Sequence, residues 1–171
     1  MKNVVLLYDS SCIYEIVILN YFLKVTGKDV VFVSPDGGTI TAMEGYSIHT
    51  EGALNEINPS DVELLIVPGG DITPIDKEDV WNYLKLVNQN HRLIAGICAG
   101  VDVLEHAGLL DGIDSTHSTD LDVAVCDNII TARANGYVDF AIETAKKLNL
   151  FEDEADLQET IAFWREFQRV E

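Results

Sequence analysis

The residue with the clearest capacity for chemistry is Cys98, which lies between an apolar run and the start of a helical pattern. Gly96 and Gly100 flank it at two-residue spacing. This layout is typical of a nucleophile elbow, a sharp strand-to-helix turn that needs small neighbours and exposes its central side chain. A helix N-terminus also favours a thiolate, through the positive end of its dipole and its unpaired N–H groups. We expect Cys98 to be a nucleophile; a buried, small apolar role is the alternative.

The elements that must position this cysteine alternate between apolar runs and helical patterns, as βαβ units require. Continuous apolar runs predict strands that are covered on both faces of a parallel sheet. The predicted strands are residues 4–8, 30–33, 62–67 and 93–97, with hairpins at 39–50 and 123–131. Predicted helices cover residues 13–25, 99–106, 138–148 and 154–168, and another begins at a cap formed by Asp76 and Asp79.

The net charge of the chain limits the classes of partner that it can bind. The 171 residues include 11 Lys and Arg against 29 Asp and Glu, a net charge of −18. Such a chain is poorly suited to displace the counterions of nucleic acid or to adhere to an anionic bilayer. We expect no nucleic-acid or membrane partner, and a neutral small-molecule substrate, because the negative field discourages anions. Without an internal repeat or linker, residues 1–171 are predicted to form one domain, with an acidic C-terminal helix over about 152–169.

The number of cysteines and the length of the apolar runs indicate the cellular compartment of the protein. Three cysteines without paired spacing disfavour a disulfide framework or a structural zinc site, and we expect neither a metal nor a cofactor. No apolar run approaches the ~18 residues that span a bilayer. The apolar stretch within residues 1–9 is too short for a signal peptide. We therefore expect a cytoplasmic protein.

A family resemblance rests on three segments read together. They are Val67-Pro68-Gly69-Gly70, Ala95-Gly96-Ile97-Cys98-Ala99-Gly100 and Ser115-Thr116-His117. With these segments the chain resembles the PfpI superfamily, a glutamine-amidotransferase-like group that holds intracellular peptidases, the parkinsonism-associated protein deglycase and isocyanide hydratases. The resemblance covers about residues 2–150. It implies a flavodoxin-like three-layer sandwich, with a mostly parallel sheet, helices on both faces and a nucleophile elbow.

The resemblance also implies roles for individual residues. Glu15 takes the position of a buried acid that hydrogen-bonds the thiol, and a carboxyl facing a thiolate should be partly protonated. The Gly69-Gly70 turn and Ala99 would bind substrate, with the N–H groups of Gly70 and Ala99 facing an oxyanion. His117 would act as a general acid or base.

Departures from the family pattern exclude some activities. Peptidase-like members carry a histidine directly after the cysteine, where this chain has Ala99. Isocyanide hydratases usually carry a threonine there, and an aspartate in place of the glutamate. True amidotransferases need a His-x-Glu pair late in the chain, and the sequence has none. Peptidase, isocyanide hydratase and glutaminase activities are therefore disfavoured.

We expect a cysteine-dependent enzyme in which Cys98 attacks a small carbonyl or acyl compound, in glyoxalase-like, deglycase-like or hydrolase-like chemistry. Glu15 would tune the thiol and His117 would relay a proton. The alternative is a non-enzymatic redox sensor or stress-response protein in which Cys98 is oxidised to a sulfinic acid. A third possibility is a family member that has lost catalysis.

Two further expectations concern residues outside this centre. Cys12 precedes Glu15 by three residues, so both lie on one face if the helix has begun, and Cys12 is then a candidate resolving thiol. A small residue filling the helix–sheet contact is the alternative role of Cys12. By analogy with the family we expect a homodimer, with Trp164 and Phe167 as a candidate surface.

Overall fold

Each central strand is apolar on both of its faces, which is why its sequence does not alternate. In the computed structural model, which describes residues 1–169, strand β1 (Lys2–Leu6) shows this directly. Val4 and Leu6 point into one core and Val5 into the other, and all three are fully buried. The two cores lie on opposite faces of one sheet.

The sheet has seven strands in the order β5-β2-β1-β6-β7-β9-β8, parallel throughout except for the β8–β9 pair. A separate antiparallel hairpin is formed by β3 and β4. The strands after β1 are β2 (Val30–Ser34), β3 (Thr39–Thr41), β4 (Ser47–His49), β5 (Gly52–Ala53), β6 (Val62–Val67), β7 (Leu93–Ile97), β8 (Val123–Cys126) and β9 (Ile129–Ala132).

Helices cover both faces of the sheet. They are α1 (Val17–Val25), α2 (Glu78–Gln89), α3 (Gly100–His106), α4 (Tyr137–Lys147) and α5 (Glu154–Trp164). The buried residues of α2 and α3 belong to one core, and those of α1 and α4 belong to the other, where α5 also packs. This arrangement confirms the predicted three-layer α/β sandwich with a mostly parallel sheet. That residues 1–171 form a single domain stays a prediction.

Three predicted helix boundaries were wrong for identifiable reasons. The first helix begins at Val17 rather than at residue 13, because residues 13–16 form a turn. Asp76 does not cap α2; its carboxylate instead accepts a hydrogen bond from Trp81 Nε1 at 2.9 Å and faces His106 Nδ1 at 2.9 Å. The last helix ends at Trp164 rather than at residue 168, and Phe167 has a left-handed φ of 56°.

Asp153 caps the N-terminus of α5, because its side chain accepts a hydrogen bond from the N–H of Asp156. Within residues 1–169, none of the helices combines the length and the apolar character needed to cross a membrane.

Candidate functional site

Cys98 lies in the turn that joins β7 to α3. Its φ of 55° is in the left-handed region, which residues other than glycine rarely adopt. The turn is held at both ends, because the Cys98 N–H donates to Ala132 O at 2.9 Å and the Cys98 carbonyl accepts from the Val101 N–H at 3.0 Å. The sharp strand-to-helix turn predicted from the sequence is therefore present.

The glycines that flank Cys98 are required by close packing. A Cβ on Gly100 would lie 2.2 Å from the carbonyl oxygen of Val67. A Cβ on Gly96 would lie 3.1 Å from Leu104 Cδ2. The end of β6 and the start of α3 can approach each other only because Gly100 lacks a side chain, whereas Gly96 leaves room for Leu104 against β7.

Gly69 makes room for two functional side chains at once. A Cβ at this position would lie 2.6 Å from Cys98 Cβ and 2.9 Å from both Cys98 Sγ and Glu15 Oε2. The thiol and the carboxyl therefore converge on the same small space beside the Gly69 backbone. The structure brings together Cys98 and Glu15, which the sequence places 83 residues apart.

Glu15 is buried, with 1% of its surface exposed. Its Oε2 accepts a hydrogen bond from the Gly69 N–H at 2.7 Å, whereas Oε1 is buried without a hydrogen-bond partner in the described part of the chain. The turn that carries Glu15 is fixed from the β3–β4 hairpin, where Glu44 Oε1 accepts the N–H of Tyr14 at 2.8 Å. Glu15 is thus held toward the thiol rather than toward solvent.

Burial raises the pKa of the Glu15 carboxyl, and the hydrogen bond from Gly69 only partly opposes this. Burial also raises the pKa of the Cys98 thiol; the adjacent Glu15 raises it further, and the Ala99 N–H acts in the opposite direction. The Ala99 N–H at the helix N-terminus thus favours the thiolate, but burial and Glu15 outweigh it. Each ionised group therefore disfavours ionisation of the other, and the two groups titrate as a coupled pair.

The N–H groups around the thiol are not equivalent. Within residues 1–169, the Gly70 N–H donates no hydrogen bond, the Ala99 N–H faces the Cys98 sulfur, and the Gly69 N–H donates to Glu15. Gly70 has a φ of 131°, and a Cβ there would lie 2.1 Å from Ser10 O. The Gly70 N–H is available to an oxyanion, and the role of Gly70 and Ala99 in substrate binding stays a prediction. Gly69 instead positions Glu15, which limits its predicted substrate contact.

Two residues near the start of the chain support the Pro-Gly-Gly turn. Tyr8 is buried and its hydroxyl donates to Pro68 O at 2.7 Å, while the Cys12 N–H donates to Gly69 O at 2.8 Å. The role of Tyr8 was missed, because a tyrosine at the end of an apolar run gives no signal of its hydroxyl's partner. Cys12 does not share a helical face with Glu15, since α1 begins later, and burial raises the pKa of its thiol to about 11.

His117 is engaged with α3. Its Nδ1 lies 2.9 Å from Glu105 Oε2 and its Nε2 lies 3.4 Å from Asp102 Oδ1. One ligand atom from each of these three residues lies within 4.8 Å of the others, as in a potential metal site, and the two contacts from the His117 ring to carboxylates account for the arrangement. Both ring nitrogens of His117 face carboxylates of α3, so proton relay to Cys98 stays a prediction.

Arg133 fixes the loop that carries His117. Its Nη2 donates to Thr116 O at 3.1 Å and to Thr119 O at 3.2 Å. Thr131, two residues earlier on β9, accepts the Thr116 N–H through its hydroxyl at 3.0 Å. The Thr131-Ala132-Arg133 segment therefore holds the histidine loop against the sheet.

Comparison with known proteins gives consistent results. A match to the DJ-1/PfpI family spans residues 1–147. The deglycase TK1284 of Thermococcus kodakarensis is 28% identical over 136 residues, covering 78% of this chain and 80% of that protein. The putative cysteine protease YraA of Bacillus subtilis is 27% identical over 124 residues, covering 63% and 73% respectively.

A solved structure shares the fold. The DJ-1 superfamily protein Atu0886 from Agrobacterium tumefaciens superposes with a TM-score of 0.87 over 98% of this chain and 100% of that chain, at 24% identity. In this chain, the seven-stranded sheet carries the elbow, the buried acid Glu15 and the Pro-Gly-Gly turn at the carboxyl ends of its strands. With a family match that extends over residues 1–147, this chain belongs to the DJ-1/PfpI family.

Proposed function

We propose that this protein is a cysteine-dependent enzyme that acts on a small, neutral carbonyl compound of the methylglyoxal type. The observation that carries the proposal is the convergence of Cys98 and Glu15 beside Gly69, next to a Gly70 N–H that has no partner in the described residues. The deglycase among its relatives supports this class of substrate, although the activity belongs to that protein.

In the proposed mechanism Glu15 and Cys98 share one proton, and the position of that proton decides whether the nucleophile forms. When the proton resides on Glu15, Cys98 is a thiolate; when it resides on sulfur, Glu15 is a carboxylate. Attack forms a bond between Sγ and the aldehyde carbon, and the carbonyl π electrons move to oxygen. The N–H groups of Gly70 and Ala99 stabilise that oxyanion, and protonation gives a hemithioacetal. Transfer of the C1 proton of the hemithioacetal to C2, through an enediol, gives a thioester of the 2-hydroxy acid. One water then hydrolyses this thioester, which breaks the S–C bond and releases the Cys98 thiol and the 2-hydroxy acid, so that the sum is the addition of one water to the 2-oxoaldehyde.

The charge of the chain supports a neutral substrate. A net charge of −18 repels anionic compounds during approach, and the proposed first step needs no charge on the substrate. We therefore expect aldehydes without carboxylate or phosphate groups to react faster than their anionic analogues.

The direct experiment measures methylglyoxal turnover by Cys98→Ser, with Cys126→Ser as the matched control on β8. We expect turnover to be abolished in Cys98→Ser and unchanged in Cys126→Ser. Turnover by Cys98→Ser at the wild-type rate would refute the assignment.

A second candidate is a redox sensor, which the unpartnered Glu15 Oε1 favours. Peroxide would oxidise the Cys98 thiol to a sulfenic acid, and a second peroxide would give a sulfinic acid, with one water released at each step. A protonated Glu15 would donate a hydrogen bond to the sulfinate. Intact-mass and peptide mapping after graded peroxide should find two oxygens on Cys98 first; earlier oxidation of Cys12 or Cys126 would exclude this role.

We also propose that the protein forms a homodimer through exposed apolar side chains beside the site. Tyr14, Val17, Met43 and Tyr46 are 45%, 47%, 57% and 58% exposed. The hairpin and the turn before α1 are tied together by the Tyr14–Glu44 hydrogen bond. A contact here would shelter the turn that carries Glu15. Sedimentation of wild type and Tyr46→Ser tests this, because a monomeric wild type would refute it.

The other surface considered for dimerisation is less suitable. Trp164 packs within the subunit against Phe22, with ring centroids 5.9 Å apart. Phe167 lies beyond α5 and is 86% exposed. Its part in a dimer interface stays a prediction.

A further inference from the structure

A cavity of about 380 Å³ lies between α1 and α5 and is not lined by Cys98 or Glu15. We call it the aromatic pocket and define it by Tyr21, Phe151, Phe163, Trp164, Asp156 and Glu159. Its volume is within the range of pockets that hold small organic molecules. The proposed catalytic chemistry makes no use of it.

The walls of the pocket are aromatic rings set at steep angles around Trp164. Phe163 lies 5.2 Å from Trp164 with an interplanar angle of 78°, and Tyr21 lies 5.9 Å away at 55°. Phe22 is buried and packs against Trp164 at 77°. Tyr21 and Phe163 remain 53% and 47% exposed, so the pocket opens to solvent.

The pocket also carries negative charge without a matching cation. In the described chain Glu159 is exposed and makes no ion pair, and Asp156 accepts one backbone N–H, that of Glu152, without facing a Lys or Arg. Arg165, at the end of α5, is engaged with Asp139. Carboxylates and aromatic rings therefore line the same cavity.

We propose that the aromatic pocket binds a small organic cation of the alkylammonium class. The ammonium group would lie against the ring faces, which attract cations through their quadrupoles. Asp156 and Glu159 would neutralise its charge, and its alkyl groups would bury apolar surface against Phe151 and Trp164.

A second copy of this chain is a poorer occupant of the pocket. A two-fold contact at this surface would bring Asp156 and Glu159 close to the same residues of the other copy, in a chain of net charge −18. A neutral apolar ligand would leave both carboxylates without a partner. The charge of the pocket therefore favours a cation over a second copy of the chain and over a neutral ligand.

The test compares choline with its neutral isostere 3,3-dimethylbutan-1-ol, using the full chain labelled with ¹⁵N. The indole N–H of Trp164 reports on the pocket, and that of Trp81, which lies at the start of α2, serves as the internal control. We expect choline to shift the Trp164 signal saturably and to bind at least about tenfold more tightly than the alcohol.

Two matched variants separate local from overall charge. Glu159→Gln should weaken choline binding about fivefold and leave binding of the alcohol unchanged. Glu166→Gln makes the same change in net charge outside the pocket and should have no effect. Both residues are exposed, so neither substitution should disturb folding.

Three outcomes would overturn the proposal. The first is equal affinity for choline and the alcohol, which would show an apolar cavity without cation selectivity. The second is no saturable shift of the Trp164 signal with either probe. The third is a Trp164 shift that depends on protein concentration alone, which would assign the pocket to contact between two copies.

Discussion

Replacing Gly69 by alanine tests whether this glycine holds Cys98 and Glu15 together. The new methyl would lie 2.6 Å from Cys98 Cβ and 2.9 Å from both Sγ and Glu15 Oε2. Ordinary van der Waals contact begins at 3.4 Å, so these atoms must retreat by about 0.5–0.8 Å. The backbone of Gly69 is not in the left-handed region, so the effect is steric rather than torsional.

The size of the effect follows from this displacement. A misplacement approaching 1 Å can cost about 100-fold in rate, so we expect kcat/KM for methylglyoxal to fall about 10- to 100-fold. Overpacking of this kind should lower the free energy of unfolding by about 1–3 kcal/mol. Steady-state kinetics and urea denaturation measure the two quantities separately.

Gly52→Ala provides the matched control. Its methyl would lie 2.5 Å from Glu56 Oε2, the end of a flexible exposed side chain on the far edge of the sheet. We expect Gly52→Ala to keep wild-type kinetics. If Gly69→Ala also kept kcat/KM within about twofold of wild type, the argument that Gly69 sets the thiol–carboxyl geometry would be refuted.

Three further predictions concern the buried groups around the thiol. The rate of alkylation of wild-type Cys98 by iodoacetamide should rise with pH in two steps. In Glu15→Gln it should rise in one step, which lies at lower pH than the upper step of wild type, because no carboxylate opposes the thiolate. The folded state raises the pKa of Glu15 above its ordinary 4.5. The free energy of unfolding of wild type should therefore fall relative to that of Glu15→Gln as pH rises from 4.5 toward 7, by at most about 1.4 kcal/mol per pH unit. Tyr8→Phe should lower the free energy of unfolding by about 1–3 kcal/mol in urea denaturation, since Pro68 O loses its buried donor.

Each of these predictions has a result that contradicts it. Identical alkylation profiles for wild type and Glu15→Gln would show that the two groups do not share a proton. A stability difference that is independent of pH would show that the carboxyl titrates as it does in the unfolded chain. A Tyr8→Phe protein as stable as wild type would show that the hydrogen bond to Pro68 contributes nothing.

The strands of the sheet could be predicted because the apolar composition of each short segment indicates a buried strand. Runs such as residues 62–67 are apolar on both faces, and only a strand covered on both sides can bury them. The elbow could be predicted for a related reason, since Gly96 and Gly100 are small where two elements must meet. These features depend on residues that are close together in the chain.

The rest of the site depends on residues far apart in the chain. The turn at 13–16 forms because Glu44, 30 residues later than Tyr14, accepts its N–H, and no local pattern announces this. His117 turns toward α3 because Asp102 and Glu105 present carboxylates there. The pKa of Cys98 is set by burial and by Glu15 more than by the short helix that follows it.

Covalent attack by Cys98 is the central claim, and one measurement addresses it directly. Wild type and Cys98→Ser are each mixed with methylglyoxal labelled with ¹³C at its aldehyde carbon, and the ¹³C spectrum is followed at neutral pH. We predict a protein-bound resonance of a carbon bonded to both sulfur and oxygen in wild type, followed by labelled lactate, and neither signal with Cys98→Ser. Lactate formation by Cys98→Ser at the wild-type rate would contradict the account.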